Sequence, residues 1–259
     1  MGLAKTFNYY YYEMADPRVT DWLLMGDLWP TLLIIASYLY FVFQCGPRFM
    51  KDRPAYQLKT FIRLYNIFQV VANVYIVHEI LAVYPDGTAL RCDTGDFSWN
   101  PDAIRVAKAI HYIALLKIID LTETVVFVLR KKNNQVSVLH LYHHISTILV
   151  GLILARYYSS GMAVFFPVLN GSVHVIMYSY YFLSSIEGIK EMVYAMKRFI
   201  TIIQMVQLVI LFLQACISLG PSCPVTKIPA CVMMPNLLLN IYLFYNFYKK
   251  TYLDPKKVK

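Results

Sequence analysis

The sequence predicts an all-α membrane protein of seven transmembrane helices, forming a single polytopic domain over residues 1–259. Three observations predict it. Hydrophobic residues make up 58% of the chain, charged residues only 15%, and the mean hydropathy is +0.49, which excludes an ordinary soluble domain. Seven apolar runs are long enough to cross a bilayer. Lys and Arg are concentrated in alternate loops, as the positive-inside rule requires of a multi-pass chain.

The runs cover residues 28–45, 60–83, 107–129, 136–155, 162–184, 199–219 and 229–248. The first follows an acidic, tyrosine-rich leader with no basic start and no evident cleavage site, so it reads as a retained span and not a signal peptide. Arg48, Lys51, Arg53 and Lys59 fill the first loop, Arg130, Lys131 and Lys132 the third, and Lys190, Lys197 and Arg198 the fifth. Lys249, Lys250, Lys256, Lys257 and Lys259 end the chain, whereas the second loop sets Asp86, Asp93, Asp96 and Asp102 against Arg91 and Arg105. An odd number of spans then places the amino terminus outside the cytosol and the carboxyl terminus inside it.

Lys256 and Lys257 stand four and three residues from the end. This is the pattern of a dilysine retrieval signal for the endoplasmic reticulum, and equally that of a basic tail that fixes orientation. In that orientation Cys92 shares the oxidising lumen with Cys223 and Cys231, and the expected disulfide joins Cys92 to Cys223. Although the net charge is +9, the cations lie beside apolar runs and serve topology, so the lipid bilayer is a partner and nucleic acid is not.

The fourth run opens with His140, His143 and His144. At 3.6 residues per turn, positions i, i+3 and i+4 share a face, so the three imidazoles project together. The third run carries Lys117, Asp120 and Glu123 at spacings of three, with the first two close enough to pair. By itself such a pair is as well explained by helix packing as by function. Counting 1.5 Å per residue from the cytosolic ends, Glu123 lies roughly 10 Å deep, His143 and His144 roughly 12 Å, His174 roughly 15 Å and Gln204 roughly 9 Å. Four helices thus bring polar groups to one layer in the cytosolic half.

His174 has Asn170, Ser172, Tyr178, Tyr180 and Tyr181 on its own helix, with Gln204 and Gln207 at neighbouring depths; some of these serve as interhelical hydrogen-bond partners. His78 and His111 lie toward the opposite half and read as structural. Asn170, Gly171 and Ser172 spell a glycosylation sequon, but its place inside a span argues against modification. A neutral imidazole can attack an activated carbonyl, accept a proton or ligate a metal. The i, i+4 spacing of His140 and His144 suits zinc, with His174 as a third ligand, and admits a zinc-dependent membrane lipid hydrolase. A non-catalytic seven-helix receptor or transporter, with the same groups as a ligand or proton site, is a further alternative.

The stretch from Leu129 to His144, with Arg130, Lys131, Lys132, Gln135 and Val136 leading into His140, His143 and His144, resembles the RKKxxQV approach and HxxHH box of the ELO family of very-long-chain fatty acid elongases. Gly46, Pro47 and Arg48 resemble its GPR-like first loop. Tyr65, Asn66, Gln69, Val70 and Asn73 resemble YNxxQVxxN, the stretch from Asn170 to Tyr181 resembles NSxVHVxMYxYY, and Thr201, Gln204 and Gln207 resemble TxxQxxQ. These motifs occur in family order over most of the chain. Two departures stand out: the family's KxxExxDT has its two carboxylates exchanged in length, as Asp120 and Glu123, and Gly171 replaces a serine or threonine.

The resemblance implies seven helices, six of them enclosing a narrow tunnel open to the cytosol. It also implies a 3-oxoacyl-CoA synthase that condenses an acyl-CoA with malonyl-CoA, giving a 3-oxoacyl-CoA two carbons longer, carbon dioxide and free CoA. Malonyl-CoA is then a co-substrate, no cofactor or metal is bound, and the reductase and dehydratase of the elongation cycle are partners. Arg130, Lys131 and Lys132 would meet the CoA phosphates. His143 would attack the thioester with His174 facing it, while His140 and His144 orient rings or move protons, and Lys117, Asp120 and Glu123 set their protonation. Asn170 and Gln204 would donate to an oxyanion or enolate, with Tyr178, Tyr181 and Gln207 against substrate. Direct attack by the malonyl enolate, with histidine only as base, is the competing route.

Overall fold

In hydrocarbon every backbone N–H and C=O must be satisfied within the chain, and a helix does this segment by segment. The computed structural model describes residues 2–88 and 91–254, and among the described residues there are helices, turns and loops but no strand. Lys256 and Lys257 lie outside the described residues.

Among the described residues six helices are long and apolar enough to cross a membrane: Trp29–Met50, Lys59–Leu81, Val138–Tyr157, Gly161–Ser184, Glu191–Leu219 and Ile228–Leu253. Within and between them we label α1 (Trp29–Tyr40), α2 (Lys59–Leu81), α3 (Pro101–Ile119), α4 (Thr122–Leu129), α5 (Val138–Tyr157), α6 (Phe165–Ser184), α7 (Met196–Leu219) and α8 (Ile228–Tyr248). The apolar run expected as one helix over 107–129 is two helices. Between α3 and α4 the bonds tighten to i→i+3, with the Leu121 N–H donating to Ile118 O (3.1 Å), Glu123 to Asp120 O (3.0 Å) and Thr124 to Leu121 O (3.1 Å). In such 3₁₀ geometry side chains three apart eclipse one another. Lys117, Asp120 and Glu123, spaced by three, are aligned by this tightened segment.

Local sequence explains the boundaries. Asn100 caps α3 through a bond from the Asp102 N–H (3.1 Å), with Pro101 at the first helical position, where a missing N–H costs nothing. Ser137 caps α5 by accepting from the His140 N–H (3.2 Å), so the helix starts at Val138 and not at 136.

The helices follow a cycle of neighbours. α2 packs on α3, α3 on α5, α5 on α8, α8 on α7, α7 on α6, and α6 returns to α2. The α2–α6 contact is the most extensive, and Gly171 permits it: a Cβ there would stand 2.8 Å from Val77 Cγ2. α1 lies outside the cycle, with Tyr38 and Val42 packed near Leu121 and Ile148.

The end of the molecule away from the histidines is tied by covalent and ionic links. Cys92 and Cys223 form a disulfide that joins the segment before α3 to the loop between α7 and α8. Arg18 and Asp16 form an ion pair at 2.6 Å with side chains 0% and 1% exposed. Ser159 Oγ donates to Asp16, and Arg18 also donates to the carbonyls of Asp96 and Ser98, so the amino-terminal segment, the loop before α3 and the end of α5 share one polar knot. Gly161 makes the adjoining turn possible: its φ is +62°, and a Cβ would lie 2.5 Å from Asp93 O.

Burial alone would favour the neutral acid of Asp16, but bonds from Arg18 and Ser159 outweigh it and hold the carboxyl below its ordinary value of 3.8. A depressed folded-state pKa adds stability that is complete above the ordinary value and is lost as pH falls through the folded one. Arg18→Met, which leaves the carboxylate buried and uncompensated, is expected to destabilise the fold by about 3–5 kcal/mol. Thermal unfolding of detergent-solubilised protein checks this: Asp16→Asn should flatten the acid limb of the midpoint against pH, and an R18M midpoint equal to wild type would contradict the account.

Candidate active site

An ammonium in an apolar interior must be paired, and Lys117 on α3 is buried and doubly engaged. Its Nζ donates to Asp120 Oδ2 at 3.2 Å and to His174 Nδ1 on α6 at 3.2 Å. The same ammonium lies 3.5 Å from His174 Nε2, so it faces both ring nitrogens. Asp120 accepts in turn from Gln69 Nε2 on α2 (2.7 Å), and Gln69 Nε2 also donates to Tyr65 OH (2.8 Å). Tyr178, one turn from His174, is fully buried and donates to Glu123 Oε1 at 2.5 Å, with Asp120 Oδ1 at 3.3 Å. Lys117, Asp120, Glu123, His174 and Tyr178 thus form, with Gln69, one network across α2, α3, α4 and α6, of which only the Lys117–Asp120 pair was expected.

The α5 imidazoles adjoin it through the other side of Glu123. His144 Nε2 faces Glu123 Oε2 at 3.6 Å. His140 stacks edge-on against His144, with ring centroids 4.2 Å apart, and its Nε2 meets Thr124 Oγ1 at 2.8 Å, which in turn meets Tyr38 OH of α1 at 2.8 Å. Glu123, His140 and His144 each present a ligand atom within 4.8 Å of the others, so a divalent cation of zinc type fits that donor set, with Glu123 in the place expected for His174. His143 turns toward α8, where its Nδ1 meets Asn240 Oδ1 at 3.3 Å. The ring is held edge-on between His144 and Phe244, with centroids 5.8 Å away on each side. Both His143 and His174 lie within electrostatic reach of the Lys117 ammonium.

The remaining expected residues divide. Asn170 is buried on α6, and its Oδ1 has no hydrogen-bond partner among the described residues; Asn66 Nδ2 and Asn73 Oδ1 on α2 share that state. Gln204 donates to Met177 Sδ at 3.2 Å, and Gln207, one turn on, is buried. Tyr181 packs edge-on against Tyr178 at 6.1 Å. Arg130, Lys131 and Lys132 lie on the α4–α5 loop, with Lys131 at φ +53° and its Nζ 3.4 Å from Lys51 O, and no bond joins them to the histidines. Away from the cluster, the His78 side chain is 70% exposed beside Glu79, and His111 Nε2 meets Leu23 O at 2.9 Å.

Sequence reasoning missed the α8 side of the site. Asn240 Nδ2 bonds Asn236 O (2.9 Å) and Asn236 Oδ1 (3.0 Å), and Tyr142 OH donates to the same Oδ1 (2.9 Å). A signal existed: two asparagines at i, i+4 in an apolar run need partners, and Asn240 lies roughly 12 Å inside Tyr248, the depth expected for His143. Tyr38 and Thr124 carried no such mark.

A cavity of about 230 Å³ lies toward the disulfide end, lined by Leu154, Tyr158, Phe166, Gln214, Ala230 and Met233, among others. Counted along α5, Leu154 is roughly 15 Å from His144, so the cavity and the polar cluster are separate stations on one helix.

Comparison with known proteins identifies the family. Residues 23–259 match the model of the ELO family, described as the GNS1/SUR4 family. The chain is 37% identical over 261 residues to human very long chain fatty acid elongase 4, covering 100% of this chain and 83% of the relative. It is 35% identical over 260 residues to mouse very long chain fatty acid elongase 1, covering 96% and 91%, and 35% identical over 210 residues to rat very long chain fatty acid elongase 7, covering 80% and 75%. With the match running through every helix that builds the cluster, the chain belongs to the ELO family.

Proposed function

We propose that the protein is a fatty acid elongase acting in the endoplasmic reticulum membrane, where it condenses an acyl-CoA with malonyl-CoA to a 3-oxoacyl-CoA two carbons longer. The observation that carries the reading is the buried network joining Lys117, Asp120 and Glu123 to imidazoles from α5 and α6. Its chemistry suits a reaction that forms an acyl bond and then stabilises a carbanion. The broken third helix completes seven crossings, the cycle of α2, α3, α5, α8, α7 and α6 encloses the acyl tunnel, and the histidine end faces the cytosol. Arg130, Lys131 and Lys132 serve the CoA phosphates at that face by long-range attraction.

In the first half-reaction the His143 Nε2 lone pair attacks the thioester carbonyl carbon. An N–C bond forms, the C–S bond breaks, and CoA departs as thiolate with the electron pair. In the second, malonyl-CoA loses carbon dioxide, the enolate carbon attacks the acyl carbon, and the C–N electrons return to Nε2. His174, held against the Lys117 ammonium, supplies a hydrogen bond to the developing oxyanion or enolate. Glu123 and Asp120 hold the positive charge of this centre in balance, and Asn170 and Gln204 add donors. Elongation reductase and dehydratase enzymes would take the product onward.

Incubation with acyl-CoA alone tests the covalent route. One equivalent of CoA should be released with an acyl group retained on His143 by mass spectrometry; no release and no acylated protein would leave only direct enolate attack. His143→Ala and His174→Ala should each lower condensation by about 10²–10⁴-fold.

The cavity near Ala230 and Met233 is suited to the far end of the acyl tail, being apolar and displaced along the helix axis from the histidines. Ala230→Leu should shift the product distribution from a panel of acyl-CoAs toward shorter chains, and an unchanged distribution would place the tail elsewhere.

A second reading is a zinc-dependent membrane hydrolase, favoured by the ligand-like triad of Glu123, His140 and His144. The elongase reading expects condensation with labelled malonyl-CoA to survive a strong chelator and purified protein to hold less than a stoichiometric amount of zinc. Loss of activity on chelation, restored by zinc, would favour the metal.

A further inference from the structure

The hydrogen bonds around Asn240 determine which nitrogen of His143 carries the proton, and that bears on which atom can act as nucleophile. Asn240 Nδ2 faces the backbone carbonyl of Asn236 at 2.9 Å and Asn236 Oδ1 at 3.0 Å. A backbone carbonyl only accepts, so the Asn240 amide must turn its NH₂ toward it. The amide oxygen is thereby directed at His143 Nδ1, 3.3 Å away. Asn236 is held in turn by Tyr142, whose hydroxyl donates to Asn236 Oδ1 at 2.9 Å. Since Tyr142 and His143 are adjacent on α5, and Asn236 and Asn240 stand one turn apart on α8, the two helices grip each other through a closed set of four side chains. Asn240 itself is buried.

We propose that Asn240 is a positioning residue that fixes His143 as the Nδ1–H tautomer and leaves the lone pair on Nε2. This rests on the acyl-transfer reading and deepens it. With Nδ1–H committed to Asn240, only Nε2 can form the N–C bond as the thioester C–S bond breaks. Nδ1 keeps its proton through that step, so the acyl-imidazolium bears a positive charge that the Asn240 amide oxygen stabilises. Asn240 touches no reacting atom.

The test combines a measurement that needs no substrate with one that does. Nitrogen-15 NMR of the histidine-labelled full-length protein in lipid nanodiscs should find His143 protonated at Nδ1 and bare at Nε2. In Asn240→Leu, of similar size but with no acceptor, that pure tautomer should give way to a mixture, with kcat lower by about 10–100-fold, the scale found for outer partners of working histidines, and KM for acyl-CoA little changed. Asn240→Asp keeps an acceptor for Nδ1–H and should retain the tautomer. It should also recover turnover relative to N240L and move the acid limb of the pH–rate profile upward, because a facing carboxylate favours the imidazolium. A wild-type spectrum showing His143 protonated at Nε2, or N240L with wild-type kcat and an unchanged spectrum, would overturn the proposal. Should N240L fail to fold, the wild-type spectrum and the N240D profile decide it. If condensation is absent while the tautomer is as stated, the elongase reading fails and the positioning does not.

Discussion

Everything at the histidine end depends on keeping the Lys117 ammonium in an apolar interior. An isolated ammonium there would be strongly disfavoured, and two helices and a turn contribute to its accommodation: α3 provides Lys117, the turn at its end provides Asp120, and α6 provides His174. Asp120 then needs a donor of its own and finds it in Gln69 from α2, with the Tyr178 hydroxyl of α6 3.3 Å away while it donates to Glu123. One buried charge thus fixes the relative positions of α2, α3 and α6, and of these α2 and α6 share the most extensive helix contact. Removing any member leaves the others unpaired, so the network is as much a structural clamp as a chemical centre.

The break in the third apolar run follows from the same constraint. A regular α-helix rotates 100° per residue, so side chains at i, i+3 and i+6 drift around its surface. Tightening to i→i+3 bonds at Asp120 and Leu121 reduces that drift and aligns Lys117, Asp120 and Glu123 along the inner face. The carboxylates can then address separate partners, Asp120 toward α2 and α6, and Glu123 toward Tyr178 and His144. The exchanged carboxylate lengths in this chain put the shorter side chain beside the lysine and the longer one facing α5.

The opposite end uses a different device. There the buried Asp16–Arg18 pair and the Cys92–Cys223 disulfide tie the amino-terminal segment and two loops across the helix ends. The apolar cavity lies at this tied end, roughly 15 Å along α5 from the histidines.

Much of this was legible in the chain itself. Apolar runs longer than a bilayer is thick dictate helices because lipid offers no hydrogen bonds, and His140, His143 and His144 share a face because helical pitch requires it. Depth counting brought Glu123, His144 and His174 to a common layer with no tertiary information. Other features needed coordinates. Which helix faces which is a property of packing, so neither the cycle of neighbours nor the separation of His143 from His144 toward different partners could be read from spacing. Asn236 and Asn240 gain their partners Tyr142 and His143 only through the packing of α8 against α5. The division of the third run near Asp120 had no breaker residue to announce it; it arises because the ionic network is best satisfied by a locally tightened backbone. The sequence by itself determined the class of structure and the inventory of ionisable groups, since hydropathy and periodicity are local quantities. Only the tertiary structure decided which nitrogen, oxygen and ammonium meet, because that depends on contacts between segments far apart in the chain.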